Sequence, residues 1–257
     1  MQRLSSLQNI GRSVRNLVTR PTAELDAAAA YELWANTYDD TADNGLLHVE
    51  TLIVSPLIEQ AGLRDKFVLD AGCGTGRYLH QIQNAGPRLL AGIDLSPGML
   101  ERAQSKMSSG SPTSLNVASI EHLPFRDGMF DFVLSTLVLA HIRDLTPAIL
   151  ELSRVLRRGG ELLVSCFHPF GKLLSWDRSF QANDRSGEKS WFSAQYYLHL
   201  HSDYFKALLA ARMQVLQVHE PVIDESIKPF YERAGRLDIF DRFKKYPLLL
   251  IFVACKQ

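Results

Sequence analysis

The stretch VLDAGCGTGRYL, Val68–Leu79, decides how the chain folds. A short apolar run ends at an aspartate, and three glycines then alternate with other residues before a segment that can form a helix. Glycine lets the backbone adopt a positive φ and lets a ligand approach the main chain closely. The spacing differs from the dinucleotide fingerprint G-x-G-x-x-G, whose last glycine would fall on Arg77, and it does not match a P-loop.

Short apolar runs alternate with helical patterns on the C-terminal side of this loop. Continuous apolar runs are typical of strands buried on both faces, and the segments between them are long enough for crossover helices. We therefore predict a doubly wound, mainly parallel α/β sheet. The runs are FVLDA (67–71), RLLAGID (88–94), FDFVLS (130–135) and ELLVSCF (161–167), with two further strands expected in QVLQVHEPVI (214–223) and PLLLIFVAC (247–255).

Two pairs of residues predict where helices begin and end. Ser96 followed by Pro97 is typical of a helix N-cap and first turn. Gly159 and Gly160 predict the end of a helix that includes Arg157, whose positive charge suits a helix C-terminus.

An acidic residue ends the second predicted strand, about twenty residues after the glycine loop. Asp94, in AGIDLS, can accept hydrogen bonds from two ribose hydroxyls at this position. In an open α/β sheet, ligands bind outside the carboxyl ends of the strands. The loop and Asp94 together predict a ribonucleoside ligand.

Four motifs in order resemble those of class I S-adenosylmethionine-dependent methyltransferases, most of all the ubiquinone-biosynthesis-like group that acts on small molecules. They are VLDAGCGTGRYL, AGIDLSPGML, HLPFRDGMFDFVLS and ELSRVLRRGGELLVSC, and they span roughly residues 67–166. The resemblance implies a seven-stranded sheet of order 3-2-1-4-5-7-6 with the last strand antiparallel. It also implies S-adenosylmethionine as the cofactor and one domain over residues 21–257.

The resemblance implies a cofactor role for a series of positions. Asp70 and the backbone of Gly72, Cys73 and Gly74 would face the methionine part, and Asp94 would hold the ribose. Leu95 and Met99 would pack on the adenine, Ser119, Ile120 and Glu121 would form the loop at its edge, and Ser135 would contact the methionine end. At Ser119 the family commonly has an acid, so the adenine amino group would have a weaker acceptor here.

The expected reaction moves the sulfonium methyl in line to oxygen, nitrogen or carbon of a small-molecule acceptor. A hydroxyl acceptor would need a base, and histidine is suited because its ordinary pKa lies near neutrality. Two histidines follow strands at the cofactor edge, His141 in LVLAHIRD and His168 in CFHPF. Either could be the base or could order its own loop. No metal-ligand cluster is evident in the sequence, and no metal site is predicted.

Two segments outside the alternation are expected to cover the site, because long non-core segments in compact domains are often lids or binding loops. Residues 21–50 are expected to form lid helices. Tyr31, Trp34 and Tyr38 would share one helical face and cover the cofactor, with Tyr38 nearest to it. The alternative is that this face simply packs the helix onto the sheet. Residues 167–201 are rich in aromatic side chains and are expected to line an apolar or aromatic acceptor pocket.

Composition limits the partners and the compartment. Lys plus Arg (28) equals Asp plus Glu (28), so the chain lacks the basic charge of a nucleic-acid binder. The three cysteines are widely spaced and form no CxxC pair, which favours a reducing, cytoplasmic setting. No apolar run reaches the ~18 residues that span a bilayer, so no transmembrane helix is expected. Residues 1–20 carry arginines and no acid, so a mitochondrial presequence, and hence the matrix, is the alternative to an ordinary N-terminal extension.

Two other classes of function stay open on the sequence alone, since a fold does not settle a function. The first is a methyltransferase-like protein without activity that serves as an assembly or interaction partner. The second is a nicotinamide oxidoreductase, against which the glycine spacing argues.

Overall fold

A seven-stranded sheet forms the centre of the computed structural model, which describes residues 22–39, 45–107, 113–170, 179–183, 187–233, 235 and 237–257. The possible presequence, residues 1–20, lies outside the described residues. The strands are β1 (Thr22–Leu25), β2 (Phe67–Ala71), β3 (Leu89–Asp94), β4 (Thr113–Val117), β5 (Phe130–Thr136), β6 (Leu156–Phe167), β7 (Phe180–Asn183), β8 (Lys189–Ala194), β9 (Met213–His219) and β10 (Leu249–Lys256).

The large sheet has the order β4-β3-β2-β5-β6-β10-β9. Neighbouring strands from β4 to β6 are parallel, whereas β10 runs antiparallel to both β6 and β9. The predicted order 3-2-1-4-5-7-6 with an antiparallel last strand is therefore confirmed. Because β2 and β5 are adjacent and lead to opposite halves of the sheet, the crevice for a ligand opens at their carboxyl ends.

Helices cover both faces of this sheet. They are α1 (Ala27–Trp34), α2 (Gly45–Gln60), α3 (Leu79–Asn84), α4 (Pro97–Lys106), α5 (Leu145–Val155), α6 (His201–Ala210), α7 (Lys228–Arg233) and α8 (Leu237–Phe243). Alternate residues of the central strands point into two buried apolar clusters, one packed on α5 and α6 and the other on α2, α3 and α4. None of the helices in the described part of the chain is long and apolar enough to cross a membrane.

Helix ends follow the sequence signals in one case and depart from them in another. Ser96 caps α4, with its Oγ accepting from the Met99 amide at 3.0 Å, as predicted. The helix expected to continue to Arg157 ends at Val155 instead. The fully buried Leu156 pairs with Phe130 at the start of β6, so strand pairing ends the helix before the two glycines.

A second, three-stranded sheet has the order β1-β8-β7. It joins the segment before the large sheet to the segment inserted after β6, and β1 runs parallel to β8. Its small core includes Trp34 of α1, which stacks on Phe180 with ring centroids 4.3 Å apart. The segment expected to form only lid helices thus contributes a strand as well.

Candidate cofactor and acceptor site

A cavity of about 340 Å³ opens at the carboxyl ends of β2, β3 and β5. Its volume lies within the ~300–1,000 Å³ typical of small-molecule sites. Ten of the residues predicted from sequence line it: Tyr38, Gly72, Gly74, Asp94, Leu95, Met99, Ser119, Ile120, Glu121 and His141.

Asp94 stands at the end of β3 with both carboxylate oxygens held in place. The backbone N–H of Gly74 donates to Oδ2 at 2.9 Å, and that of Ser96 donates to Oδ1 at 2.9 Å. A carboxylate has about four acceptor positions, so each oxygen can still accept a further bond, as two ribose hydroxyls would require. Burial raises the pKa of Asp94, while the Ser96 and Gly74 amides act in the opposite direction.

The glycine loop turns tightly beneath the cavity. Gly72 adopts φ +82°, and a Cβ built on it would lie 2.2 Å from Val138 Cγ2, so no larger residue fits. Gly74 adopts φ +54°, and a Cβ built there would meet nothing within 4 Å. The main chain at Gly74 therefore leaves space on the cavity side for a ligand to lie against it.

Asp70 is buried under this loop, with 1% of its surface exposed. Among the residues that the structure describes, its Oδ1 has no hydrogen-bond partner, which is uncommon for a buried carboxylate oxygen. Burial raises the pKa of Asp70 to about 7, although Arg77 acts to lower it. An unsatisfied carboxylate beside an open glycine turn fits a cationic ligand such as the methionine end of S-adenosylmethionine.

Three predicted cofactor residues do not line the cavity with their side chains. Asp70 lies beneath the loop, Cys73 is buried, and the Ser135 hydroxyl donates to the Ala71 carbonyl at 2.9 Å. Burial raises the pKa of the Cys73 thiol well above its usual range, so the thiol is protonated at neutral pH. Neither Cys73 nor Ser135 is among the residues that line the cavity.

The two candidate bases lie in different places. His141 lines the cavity, but His168 is not among the residues that line it. The His168 Nε2 instead lies 3.0 Å from Glu220 Oε1, near His201. Burial lowers the pKa of His168, which keeps the ring neutral. The structure therefore brings only His141 of the two to the cofactor crevice.

The hydrogen bonds of His141 fix its tautomer. Nδ1 lies 2.7 Å from the Gln195 carbonyl oxygen, which can only accept, so Nδ1 carries the proton. In the neutral ring Nε2 is then an acceptor, and the Tyr31 hydroxyl lies 3.0 Å from it. Tyr31 also lines the cavity. The unprotonated nitrogen of His141 is thus directed at a hydroxyl on the cavity wall.

Several lining residues were not identified from the sequence. They are Asp26, Ala27 and Ala28 at the start of α1, Ala118, Thr136, Leu137, Val138 and Ile142 on the sheet side, and Gln195 and Tyr197 after β8. Gln195 acts on His141 through a backbone carbonyl, which every residue type has, so no sequence signal could have identified it. The aromatic content of residues 167–201 pointed to the segment that carries Tyr197.

A second cavity of about 510 Å³ lies on the α2 side of the glycine loop. Its cations already have partners, since Arg77 pairs with the buried Glu50 and Lys106 lies 2.6 Å from Asp39. The first cavity, although smaller, is the one that combines Asp94, the glycine turn and His141.

Comparison with known proteins agrees with this geometry. The family described as "Methyltransferase domain" matches residues 69–164. The malonyl-[acyl-carrier protein] O-methyltransferase of Hamiltonella defensa is 32% identical over 139 residues, 54% of this chain and 50% of the relative. The chain thus spans about half the length of that curated relative. An uncharacterized protein of Mycobacterium bovis is 32% identical over 205 residues, 76% of this chain and 73% of the relative.

A solved structure shares the fold. The S-adenosylmethionine-dependent methyltransferase from Mesorhizobium loti aligns with a TM-score of 0.59 at 19% identity, covering 78% of this chain and 96% of that one. The matched region, residues 69–164, contains the glycine loop, Asp94 and His141. The chain belongs to the class I S-adenosylmethionine-dependent methyltransferase family.

Proposed function

We propose that the protein transfers the methyl group of S-adenosylmethionine to a hydroxyl oxygen of a small-molecule acceptor. The observation that carries this proposal is the His141 Nε2, which is the acceptor nitrogen of the neutral ring and belongs to a cavity lined also by Asp94 and the glycine turn. Nitrogen and carbon acceptors would not all need such a base, whereas a hydroxyl must lose its proton as it is methylated.

Charge supports the choice of cofactor. When bound, S-adenosylmethionine supplies an electrophilic methyl group on a positively charged sulfur. The charged side chains that line the cavity among the described residues are acidic apart from His141: Asp26, Asp94 and Glu121. A wall of this charge favours a cation, and the Asp70 carboxylate beneath the loop adds to it.

The residues of the inserted and N-terminal segments support a role in holding the acceptor. Tyr31, Tyr38 and Tyr197 place three aromatic rings on the cavity wall. Rings of this kind bury the apolar body of a ligand while their hydroxyls contact its polar groups. Holding an acceptor in line with the methyl group can supply ~7–11 kcal/mol of barrier reduction.

His141 then accepts the acceptor proton. Its Nδ1–H bond to Gln195 makes Nε2 the acceptor nitrogen of the neutral ring, and the Tyr31 hydroxyl shows the direction in which that nitrogen accepts. The acceptor hydroxyl either replaces the Tyr31 hydroxyl at Nε2 or donates to the Tyr31 oxygen, which passes its own proton on. In both cases the positive charge that develops on His141 faces the acidic wall.

Replacement of His141 tests this function. His141→Ala should lower kcat with a hydroxyl acceptor by about 10²–10⁴-fold and leave the Kd for S-adenosylhomocysteine near the wild-type value, because the base acts on the acceptor. Tyr31→Phe should lower kcat less, and His80→Ala, an exposed histidine on α3, is the matched control. Turnover is followed with labelled cofactor against a panel of phenols, aliphatic alcohols and malonyl-[acyl-carrier protein].

The panel also separates the proposal from its competitors. Methylation of malonyl-[acyl-carrier protein] alone, unaffected by His141→Ala, would indicate a carboxylate acceptor, which needs no base and is named for the Hamiltonella relative. Cofactor binding without turnover on any acceptor would favour the assembly or interaction role instead.

A further inference from the structure

Three side chains that the proposed methyl transfer does not use converge at the carboxyl end of β6. His168 follows β6, His201 begins α6 and Glu220 follows β9. Their ligand atoms all lie within 4.8 Å of one another. Residues so far apart in sequence meet here only because of the fold, which is why the sequence pattern predicted no metal site.

The two histidine rings of the cluster converge on one carboxylate oxygen. The Nε2 atoms of His168 and His201 lie 3.0 and 2.7 Å from the same oxygen, Glu220 Oε1. Tetrahedral Zn²⁺ with bonds of about 2.0–2.1 Å separates its ligand atoms by roughly 3.3 Å. Small movements of the two outer side chains, which are 38% and 46% exposed, would open the required space.

We propose that His168, His201 and Glu220 form a binding site for a divalent transition-metal ion. Two imidazoles and one carboxylate suit Zn²⁺ and its first-row neighbours and leave a coordination position for water. His168, with 3% of its side chain exposed, lies on the inner side of the site, and the two partly exposed ligands lie on its solvent side.

The position of the site gives the ion a role in the fold. His168 and His201 bracket the inserted segment that carries β7, β8 and the Gln195 carbonyl bonded to His141. An ion held by both histidines joins the two ends of that segment, and closing a loop by a cross-link restricts the unfolded chain. The ion would therefore stabilise the base of the segment that lines the acceptor side of the cavity.

One existing contact must change when the ion binds. The Phe170 backbone N–H donates to His168 Nδ1 at 3.2 Å, so the ring proton is on Nε2 in the metal-free protein. Coordination through Nε2 moves that proton to Nδ1, and the Phe170 contact is lost. This exchange weakens the site relative to one whose histidines already donate from Nδ1.

Titration of the untagged, EDTA-treated full-length chain with Zn²⁺ tests the site independently of methyl transfer. Calorimetry should give one equivalent, and His201→Ala and Glu220→Gln should each raise the Kd at least tenfold, since loss of second-shell groups alone gives about 10–100-fold. Both replaced residues are at least partly exposed, so the variants should fold, which far-ultraviolet circular dichroism checks.

Two further variants serve as matched controls. His219→Ala removes the neighbouring histidine, whose Nε2 is 3.0 Å from Gln217, and Cys255→Ser removes the one cysteine that is not buried. Both should bind Zn²⁺ as the wild type does. The proposal is overturned if the wild type binds no stoichiometric Zn²⁺, or if His201→Ala and Glu220→Gln bind it with wild-type affinity.

Discussion

Asp94 is the residue that we expect to bind the ribose of the cofactor. Asp94→Asn keeps the size of the side chain but removes its charge and one acceptor oxygen. With two hydrogen bonds to a charged group weakened, at ~1.5 kcal/mol or more each, we expect the Kd for S-adenosylhomocysteine to rise at least about 100-fold by calorimetry. Asp26→Asn is the control, because Asp26 lines the same cavity but caps α1 through Ala29, which Asn can also do. Similar losses in both variants would contradict a specific role for Asp94.

Asp70 links the stability of the protein to its cofactor site. Its folded pKa of about 7 lies above the ~3.9 of an unfolded aspartate, so the folded protein holds more protons between these values. Stability contributed by the protonated group is present below about pH 4 and is lost as pH rises towards 7. Asp70→Asn should therefore stabilise the cofactor-free protein, by on the order of 4 kcal/mol at pH 8 and little at pH 4.

Urea unfolding of both proteins across this pH range measures the difference. The same variant should bind S-adenosylhomocysteine more weakly, because we expect the Asp70 carboxylate to attract the positively charged ammonium group of the ligand. A stability difference that does not change with pH would show that Asp70 is not the titrating group.

Residues of the glycine loop and residues that follow the central strands could be predicted from sequence, whereas partners from distant parts of the chain could not. Asp94 ends β3 and His141 follows β5 by five residues, on the side where a parallel sheet places its ligands, and both line the cavity. His168 occupies an equivalent sequence position but turns to Glu220, a partner 52 residues away that no local pattern indicates. The Gln195 carbonyl, which fixes the His141 tautomer, leaves no trace in the sequence.

The glycine loop is the element on which the crevice depends. Gly72→Ala would place a Cβ 2.2 Å from Val138 Cγ2 in a left-handed conformation, so we expect it to destabilise the protein by about 2–3 kcal/mol or more in urea unfolding. Gly74→Ala is the matched control, with a left-handed φ but no atom within 4 Å, and should lose only about 1 kcal/mol.

The double variant Gly72→Ala/Val138→Ala separates the clash from the backbone strain. Removal of the valine methyl groups should restore part of the stability lost in Gly72→Ala, even though Val138→Ala alone removes apolar contacts. If the two changes are simply additive, the clash with Val138 is not the cause.

β4, Thr113–Val117, is not a continuous apolar run, and only the resemblance implied a strand of the large sheet beyond those read from the sequence. The other strands of the large sheet could be predicted from their apolar residues. The small sheet could not. Its first strand, Thr22–Leu25, has four residues and pairs with Lys189–Ala194, more than 160 residues later, and such a pairing has no local signal. The helix before β6 ended early for a similar reason, since the Leu156 pairing with Phe130 is a tertiary contact.

Ligand binding involves the whole molecule, because the cavity wall comes from three parts of the chain. Tyr38 belongs to the N-terminal segment, Asp94 and His141 to the central sheet, and Tyr197 to the inserted segment. A ligand that contacts all three binds only the folded state and stabilises it by RT ln(1 + [L]/Kd), about 2.7 kcal/mol at one hundred times the Kd. For a chain of 257 residues this corresponds to a rise in Tm of roughly 5–10 °C.

S-adenosylhomocysteine should therefore raise the Tm in a thermal unfolding scan, and NAD at the same concentration should not. The two ligands share an adenosine, so Asp94 could hold the ribose of either, and the discrimination comes from the loop. NAD needs a helix N-terminus positioned by G-x-G-x-x-G for its pyrophosphate. This loop instead has the Asp70 carboxylate beneath Gly74, and that negative charge repels a phosphate and attracts a cation. A larger shift with NAD would assign the crevice to a nicotinamide cofactor, and Asp94→Asn should remove most of the shift with S-adenosylhomocysteine.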